Sequence, residues 1–404
     1  MKQRVLTIAA LFSLCPLAAA HFTLPLFHKV GGCLRLRIIQ STAHLSQLAL
    51  APSVAPQTDF TGAMFRANLQ HTGVYQTKGV KQLHGVKWKF KTERVIEAWF
   101  SSPTVADGVV YVGSDDSYLY AIDARTGVQR WRFRTGDVVY SSPAVAVGTV
   151  YVGSHDGHLY ALDGATGTEK WSFKTGYRVY SSPAVADGTV YFGSADGYFY
   201  AVDATIGQLK WKFKAGSWLV SSPAIADGTI YVGSWDTYLY ALDMTTGHER
   251  WRFKTGGRVL SSPAVAGATV YCGSMDGYFY ALAASTGVER WKFKTADRVR
   301  SSPAIFDDSV YFGSDDGYLY AVESKTGREK WRFKTGSAVI SSPAIADGLV
   351  YFGSADGRLY ALDAQTGKKK WKFKSSLGWM RSSPAVADGV LYFGSDDGNL
   401  YALH

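Results

Sequence analysis

Along most of the chain, short apolar and β-branched runs alternate with turns rich in glycine and aspartate, and the pattern recurs every 40 residues. One copy, residues 181–216, reads SSPAVADGTVYFGSADGYFYAVDATIGQLKWKFKAG. A fixed period of this length is typical of a repeat architecture. The copies begin at Ser101, Ser141, Ser181, Ser221, Ser261, Ser301 and Ser341, with an eighth one residue late at Ser382.

Each copy contains four segments with the spacing of β-strands. In the quoted copy these are SSPAVA, TVYFGS, YFYAVD and KWKFK, separated by two Asp-Gly turns and one Ile-Gly turn. The last two segments alternate apolar and polar residues with period two, and none has helical spacing. The sequence therefore predicts an all-β fold, an eight-bladed β-propeller of four-stranded antiparallel blades. A solenoid would need polar capping repeats at both ends, which the sequence lacks.

One Trp-x-Phe segment precedes the first copy, whereas the eighth copy reaches His404 without one. We therefore predict that Trp88–Lys91 forms the fourth strand of the eighth blade and closes the ring, so that neither end leaves an open sheet edge. Eight outer-strand tryptophans agree with eight blades: Trp88, Trp131, Trp171, Trp211, Trp251, Trp291, Trp331 and Trp371.

The outer strands also explain much of the basic character of the chain. In each W-x-F-x segment the two x positions share the face opposite the tryptophan, and fifteen of these sixteen positions are Lys or Arg. Charged side chains on an exposed edge strand discourage pairing with other sheets. We interpret these residues as protection of the rim rather than as a site for nucleic acid.

Charge and cysteine content narrow the function classes further. The formal net charge is +10, but residues 1–84 hold eight basic groups and one acid, whereas the other 320 residues hold 35 basic and 32 acidic groups. A nucleic-acid partner normally requires a clustered basic face, so we predict none. Three widely spaced cysteines, Cys15, Cys33 and Cys272, form neither a disulfide framework nor a zinc site.

The N-terminal region has the features of an export signal. MKQR is a short basic head, VLTIAALFSL an apolar core of ten residues, and PLAAA a small-residue cleavage site. We predict a signal peptide at 1–20, an irregular segment and linker at 21–84, and the propeller at 85–404. The protein would then be exported and lie in the periplasm, at the outer membrane or outside the cell. Cys15 and Cys33 are the candidate positions for a lipid anchor.

A motif at the end of each copy resembles a known family. Ala-x-Asp-x-x-Thr-Gly-x-x-x-Trp occurs at Ala121–Trp131, Ala161–Trp171, Ala241–Trp251 and Ala361–Trp371, with single departures at Ile206, Ala283 and Glu323. This is similar to the tryptophan-docking repeat of the PQQ-type (quinoprotein-like) β-propellers, over about Lys87 to His404. That superfamily includes PQQ-dependent alcohol dehydrogenases and the non-catalytic outer-membrane assembly factor BamB, so the resemblance implies a fold and leaves the function open.

The dehydrogenases of that superfamily have long insertions between strands, an adjacent cysteine pair and a calcium site of Glu, Asn and Asp. This chain has almost no insertions and no Cys-Cys, and its repeated aspartates lie at turns, where Asp is favoured. We therefore predict no catalytic, cofactor-binding or metal-binding residues, and a monomeric BamB-like scaffold for envelope proteins. A PQQ-dependent dehydrogenase and a carbohydrate-binding (lectin-like) propeller are the alternatives.

Comparison of the eight copies with one another predicts which face binds a partner. The first-to-second and third-to-fourth turns vary little, whereas the second-to-third turns and the connections between blades diverge and carry large aromatics and arginines. These residue types are enriched in interfaces. The predicted partner-binding face carries Trp99, Phe100, Tyr140, Tyr180, Trp218, Trp235, Arg298, Arg300, Trp379 and Arg381.

Overall fold

In the computed structural model, the described residues are 63–93, 101–375 and 378–404. They form thirty-two β-strands in eight four-stranded sheets, each antiparallel throughout. The predicted eight-bladed propeller is confirmed. The segment 1–62, with the predicted signal peptide, Cys15 and Cys33, lies outside the described residues, as do Trp99 and Phe100. No described segment is a helix long and apolar enough to cross a bilayer.

The strands are numbered in chain order, and blades one to eight follow the order of the repeats. The innermost strands of the blades are β2 (Thr104–Ala106), β6 (Ala144–Ala146), β10 (Ala184–Ala186), β14 (Ala224–Ala226), β18 (Ala264–Ala266), β22 (Ala304–Phe306), β26 (Ala344–Ala346) and β30 (Ala385–Ala387). The second strands are β3 (Val109–Gly113), β7 (Thr149–Gly153), β11 (Thr189–Gly193), β15 (Thr229–Gly233), β19 (Thr269–Gly273), β23 (Ser309–Gly313), β27 (Leu349–Ser354) and β31 (Val390–Ser395).

The third strands are β4 (Tyr118–Asp123), β8 (His158–Asp163), β12 (Tyr198–Asp203), β16 (Tyr238–Asp243), β20 (Tyr278–Ala283), β24 (Tyr318–Glu323), β28 (Arg358–Asp363) and β32 (Asn399–Leu403). The outer strands are β5 (Gln129–Arg134), β9 (Glu169–Lys174), β13 (Leu209–Lys214), β17 (Glu249–Lys254), β21 (Glu289–Lys294), β25 (Glu329–Lys334), β29 (Lys369–Lys374) and, for blade eight, β1 (Val86–Lys91).

Turn chemistry sets the register of the blades. Between β10 and β11 the chain reverses through Asp187 and Gly188, with φ of 47° and 66°. Two consecutive positive φ angles define the two-residue hairpin turn that matches strand twist, and Asp-Gly is among the pairs that adopt it most readily. Every residue of the second strand β11 is buried, because the neighbouring blades cover both of its faces.

The closing strand lies where the sequence predicts it, with two more residues at its start. β1 pairs antiparallel with β32, with Trp88 opposite Ala402 and Phe90 opposite Leu400. Trp88 Nε1 donates a hydrogen bond to Ala124 O of blade one at 3.0 Å. The first and last parts of the described chain therefore form one blade, and the predicted closure is confirmed.

Most outer-strand tryptophans join their blade to the next one through an indole hydrogen bond, whereas Trp371 donates to Val80 O just before the closing strand. Trp291 of blade five donates from Nε1 to Ser324 O of blade six at 3.0 Å. Its ring covers Gly327, where a Cβ atom would lie 2.5 Å from the ring and where φ is 72°. A side chain at this glycine would therefore be disfavoured twice, by the positive φ and by the close ring contact.

The serines of the SSP motifs form a second, inner connection around the ring. The N–H of the second serine in each blade donates to the Oγ of the equivalent serine in the next blade, at 2.9–3.1 Å. The eighth bond runs from Ser383 N to Ser102 Oγ and returns to blade one. The innermost strands β30 and β2 are likewise in contact, so the ring closes at its centre as well as at its rim.

Candidate functional site

The propeller has two faces that differ in sequence variability. We call the side with the first-to-second and third-to-fourth turns the turn face, and the side with the second-to-third turns and inter-blade connections the loop face. On the loop face, the aspartate of each second-to-third turn holds the local backbone. Asp236 accepts hydrogen bonds from Tyr238 N at 3.1 Å, Tyr240 Oη at 2.8 Å and Gly216 N at 2.7 Å.

The same arrangement recurs in most of the other blades, and it defines what the turn aspartates do. Asp156, for example, accepts from His158 N at 2.9 Å, Tyr160 Oη at 2.7 Å and Gly136 N at 2.7 Å. Hydrogen bonds to a carboxylate favour its charged form, and despite burial the pKa of Asp156 is lowered. The predicted role of these aspartates as turn residues is confirmed for the second-to-third turns.

This framework presents three variable positions from each blade. The residue after the Gly-Ser pair of the second strand donates its N–H to a carbonyl of the preceding inter-blade connection, as Trp235 does to Trp218 at 2.9 Å. The residue that supplies this carbonyl, the third before SSP, is the second variable position. The residue directly before SSP, such as Tyr180, is the third. Because backbone hydrogen bonds fix these residues, their side chains are positioned by the ring rather than by a flexible loop.

Blades two to five contribute a continuous stack of planar side chains, which we call the aromatic stack. Tyr180 and Trp218 are stacked with centroids 6.4 Å apart, and Trp218 and Trp235 with centroids 4.4 Å apart. The Arg258 guanidinium lies 4.3 Å from the Trp235 ring centroid. At the other end, His155 contacts Tyr180 with centroids 4.1 Å apart.

Tyr140 extends the aromatic stack, because its ring contacts both His155 and Tyr180. His155 is 9% exposed, and burial, followed by the positive charge of Arg178, lowers the pKa of its imidazole to about 4. His155 Nε2 and Trp235 Nε1 are both buried without a hydrogen-bond partner among the described residues. A buried polar atom left without a hydrogen bond costs about 1–3 kcal/mol. The aromatic stack contains two such atoms, whose lost hydration is not replaced by a hydrogen bond within the described residues.

The opposite part of the loop face is built from ion pairs instead. Arg300 Nη2 lies 2.8 Å from Asp315 Oδ2, and Arg381 Nε lies 3.7 Å from Asp396 Oδ2. Burial raises the pKa of Asp315, although Arg300 opposes that shift. The Arg381 guanidinium lies 4.1 Å from the ring centroid of Trp379, which is 47% exposed.

The structure therefore divides the predicted partner-binding residues into groups. It brings Tyr140, Tyr180, Trp218 and Trp235 together, pairs Trp379 with Arg381, and leaves Arg300 in an ion pair. Arg298 is exposed in the connection before blade six. The sequence comparison missed three residues that take part in this face, namely His155, Arg178 and Arg258. Arg178 and Arg258 would have been found by comparing the third residue before SSP in every copy.

The central channel contains a segment that the sequence did not place. Residues 63–75, here called the channel segment, accept hydrogen bonds from the innermost strands of five blades. The acceptors are the carbonyls of Ala63, Leu69, Gln70, Thr72 and Gly73, and the donors are the N–H groups of Val145, Ile225, Val265, Ile305 and Ile345, at 2.7–2.9 Å. A cavity of about 340 Å³ remains between this segment and the innermost strands of blades one, two and eight.

Two polar side chains anchor the channel segment. The Arg66 guanidinium donates to Pro303 O and Pro343 O, both at 2.5 Å, and burial lowers its pKa to about 10. His71 Nδ1 lies 3.2 Å from Pro263 O, and burial, followed by the charge of Arg66, lowers its pKa to about 3. The polar groups at the channel axis are therefore engaged mainly with backbone carbonyls of the propeller itself.

The calcium site that the dehydrogenase resemblance implies has no counterpart among the described residues. None of their His, Cys, Asp and Glu side chains form a group that could hold a metal ion. Cys272 is buried, and burial raises the pKa of its thiol to about 12, so it behaves as an apolar core residue.

The sequence profile of the family described as "Outer membrane protein assembly factor BamB" matches residues 78–217, 195–305 and 276–404. No curated protein matches the chain.

Several solved structures share the fold at low identity. BamB from Moraxella catarrhalis is 18% identical, over 79% of this chain and 99% of its own, with a TM-score of 0.67. The quinohemoprotein alcohol dehydrogenase from Comamonas testosteroni is 19% identical, over 84% of this chain and 80% of its own, with a TM-score of 0.73. The computationally designed Ika8 protein is 20% identical, over 78% and 98%, with a TM-score of 0.70. These similarities concern the fold, whereas the profile matches extend over residues 78–404 and show that the chain belongs to the family of the outer membrane protein assembly factor BamB.

Proposed function

We propose that this protein is a non-catalytic scaffold of the bacterial envelope that binds a protein partner through the loop face. The observation that carries the proposal is the aromatic stack, which runs across blades two to five on a rigid framework. Export to the periplasm, a lipid anchor and a monomeric state are parts of the same proposal, and membership of the BamB family supports an envelope location.

The composition and rigidity of the aromatic stack suit a protein interface. Tyr, Trp and Arg are the residue types that most often carry the binding energy of such interfaces. Side chains that are already ordered lose little conformational entropy on binding. Tyr180, Trp218 and Trp235 are each partly exposed while packed against one another, so the aromatic stack is both ordered and accessible.

The channel segment supports a non-catalytic role. It accepts hydrogen bonds from the innermost strands of five blades, and its charged group, Arg66, is engaged with Pro303 O and Pro343 O. The turn aspartates are likewise engaged with backbone and tyrosine donors. Because no titratable group of these is free to exchange a proton with a substrate, the geometry favours binding over proton-transfer chemistry.

Site-specific photocrosslinking tests the scaffold role. A photoreactive phenylalanine analogue replaces Trp218 or Tyr180 in the aromatic stack, and for comparison Lys212 on the outer strand β13. The protein is then illuminated in an envelope extract. We expect a discrete protein adduct from the two loop-face positions and none from position 212. Equal labelling at all three positions would mean that the loop face is not the docking surface.

Reconstitution separates the scaffold from the dehydrogenase alternative. The purified protein is incubated with PQQ and calcium and assayed for alcohol- or sugar-dependent reduction of an electron-accepting dye. We expect no reduction above the rate of heat-denatured protein. Substrate-dependent turnover that Trp218→Ala leaves unchanged would replace the scaffold proposal with an oxidoreductase.

A further inference from the structure

One repeat position on the loop face carries an arginine or a tryptophan in each of four successive blades. The third residue before SSP is Arg178 in blade three, Trp218 in blade four, Arg258 in blade five and Arg298 in blade six. The flanking blades have Val138 and Ala338 at this position. We call the four residues the basic row. Because the position is equivalent in each blade, the basic row follows the curve of the ring beside the aromatic stack.

The arginines of the basic row differ from the other loop-face arginines in their partners. Arg300 and Arg381 are ion-paired with Asp315 and Asp396. Among the described residues, Arg178, Arg258 and Arg298 form no ion pair with a carboxylate, and the last two are exposed. Within the described part of the chain, none of the three guanidinium groups is therefore held in an ion pair.

The three arginines have different surroundings. Arg258 rests on the Trp235 ring, with its guanidinium carbon 4.3 Å from the ring centroid. Arg178 lies 5.4 Å from the Tyr177 ring centroid and donates from Nη1 to Tyr180 Oη at 3.4 Å. Stacking on an aromatic face leaves the edge of a guanidinium free for bidentate contact with a carboxylate. Two of the three cations are thus oriented by the aromatic stack.

The acidic groups near the basic row lie at its two ends, where Asp137 acts electrostatically on Arg178 and Asp315 interacts with Arg298. Asp137 and Asp297 lie in the connections before blades two and six, and each accepts a hydrogen bond from the N–H of its own following residue. The equivalent positions in the connections before blades three, four and five are Tyr177, Ser217 and Gly257. Arg178, Trp218 and Arg258 are therefore each preceded in the chain by a residue without a carboxylate.

Stacking within the site also decides which ligand class it favours. Sugars bind aromatic residues through ring faces, but Trp218 has Tyr180 stacked on it at 6.4 Å and Trp235 at 4.4 Å, and Trp235 also carries Arg258. The aromatic stack therefore presents ring edges and hydroxyls rather than open faces. Ring edges carry positive partial charge, which adds to the charge of the arginines and favours carboxylates.

We propose that the basic row and the aromatic stack together bind an acidic, extended peptide segment of the partner, in which carboxylate side chains alternate with apolar ones. The carboxylates contact Arg178, Arg258 and Arg298, and the apolar side chains lie against the exposed edges of Tyr180 and Trp218. This inference rests on the proposed scaffold function and names the chemistry of its partner.

Fluorescence anisotropy with defined peptides tests the proposal. The probe is a fluorescein-labelled peptide of alternating Glu and Leu, and its control is the same peptide with Gln in place of Glu. We expect the Glu peptide to bind at least about tenfold more tightly than the Gln peptide in low salt. Affinity should fall as ionic strength rises, because screening shortens the range of the charge–charge attraction.

Variants locate the binding to the basic row. Arg258→Ala and Arg298→Ala should each weaken binding of the Glu peptide about three- to tenfold, whereas Arg134→Ala removes an exposed charge from the outer strand β5 and should leave it unchanged. Ala338→Arg extends the basic row into blade seven and should strengthen binding. If Arg134→Ala weakens binding as much as Arg258→Ala, the attraction is a property of net charge and the proposal is wrong.

Two further probes separate the alternatives. Heparin tests an anionic polysaccharide, and a neutral glycan panel tests a lectin. If heparin binds through the basic row more tightly than the Glu peptide does, or if a neutral glycan binds at all at Trp218, the peptide proposal is overturned. Failure of every probe while position 218 still crosslinks to an envelope protein overturns the acidic-segment inference but leaves the scaffold function standing.

Discussion

At the scale of single residues, burial makes protonation of two histidines unfavourable in the folded protein. The pKa of His71 is lowered to about 3 and that of His155 to about 4, in both cases mainly by burial, with the charges of Arg66 and Arg178 adding to the effect. An unfolded chain protonates histidine near pH 6.5. Below that pH the unfolded chain therefore binds more protons than the folded protein, and the free energy of unfolding falls as the pH falls.

The first prediction concerns this acid sensitivity. Between pH 7 and pH 5, His71 alone should cost the wild-type protein about 2 kcal/mol of unfolding free energy, since its folded pKa lies well below pH 5. Guanidinium unfolding of wild-type protein and of His71→Gln at both pH values measures the difference, with the exposed His248→Gln as the matched control. If all three proteins lose the same stability on acidification, His71 is not protected from protons as the structure indicates.

The residue scale also shows where sequence comparison succeeds. Tyr180, Trp218 and Trp235 stand out because they are large aromatic residues at positions that differ widely from copy to copy. Of the basic row, Trp218 and Arg298 were predicted, whereas Arg178 and Arg258 were missed because the third residue before SSP was not compared in every copy. His155 was also missed, because its role depends on its ring contacts with Tyr140 and Tyr180. Which of these side chains stack on one another depends on the distance between adjacent blades, which the repeat alone does not contain.

At the scale of elements, strands that follow a repeat were predictable and the channel segment was not. A strand such as β11 has a period-two pattern and an Asp-Gly turn, and both signals are local. Residues 63–75 instead interact through backbone carbonyls, and through Arg66 bound to carbonyls more than 230 positions away along the chain. Backbone carbonyls are the same in every residue type, so no side-chain pattern marks such a segment.

The second prediction belongs to this scale and tests the closing strand β1. Trp88 is buried against blade one and Phe90 packs against Tyr120 with centroids 5.2 Å apart, whereas Lys89 and Lys91 are exposed on the opposite face. Replacing both apolar residues with Ala should cost at least about 3–5 kcal/mol. Replacing both lysines with Ala should change stability by less than about 0.5 kcal/mol. Thermal and guanidinium unfolding compare the two double variants, and equal losses would mean that β1 is not packed as described.

At the scale of the whole molecule, the ring is closed by two independent sets of contacts. One is the pairing of β1 with β32 at the rim, and the other is the ring of serine hydrogen bonds around the channel. The 40-residue repeat predicted the number of blades and the rim closure. The serine ring could not be derived from the invariance of SSP, because an unvarying motif does not tell whether its hydroxyls bond within one blade or to the next.

The last prediction uses the serine ring to test whether the junction of blades eight and one is as closed as the others. Ser102 Oγ accepts from Ser383 N at 3.1 Å across that junction, and Ser262 Oγ accepts from Ser222 N at 2.9 Å across the junction of blades four and five. Removing either hydroxyl leaves a backbone N–H near the channel without its acceptor, which costs about 1–3 kcal/mol when the group is buried. Ser102→Ala and Ser262→Ala should therefore reduce the free energy of unfolding by similar amounts, and because the two sites lie four blades apart their effects should add in the double variant. A large loss for Ser262→Ala with none for Ser102→Ala would mean that the ring opens between its last and first blades in solution, and that closure depends on β1 alone.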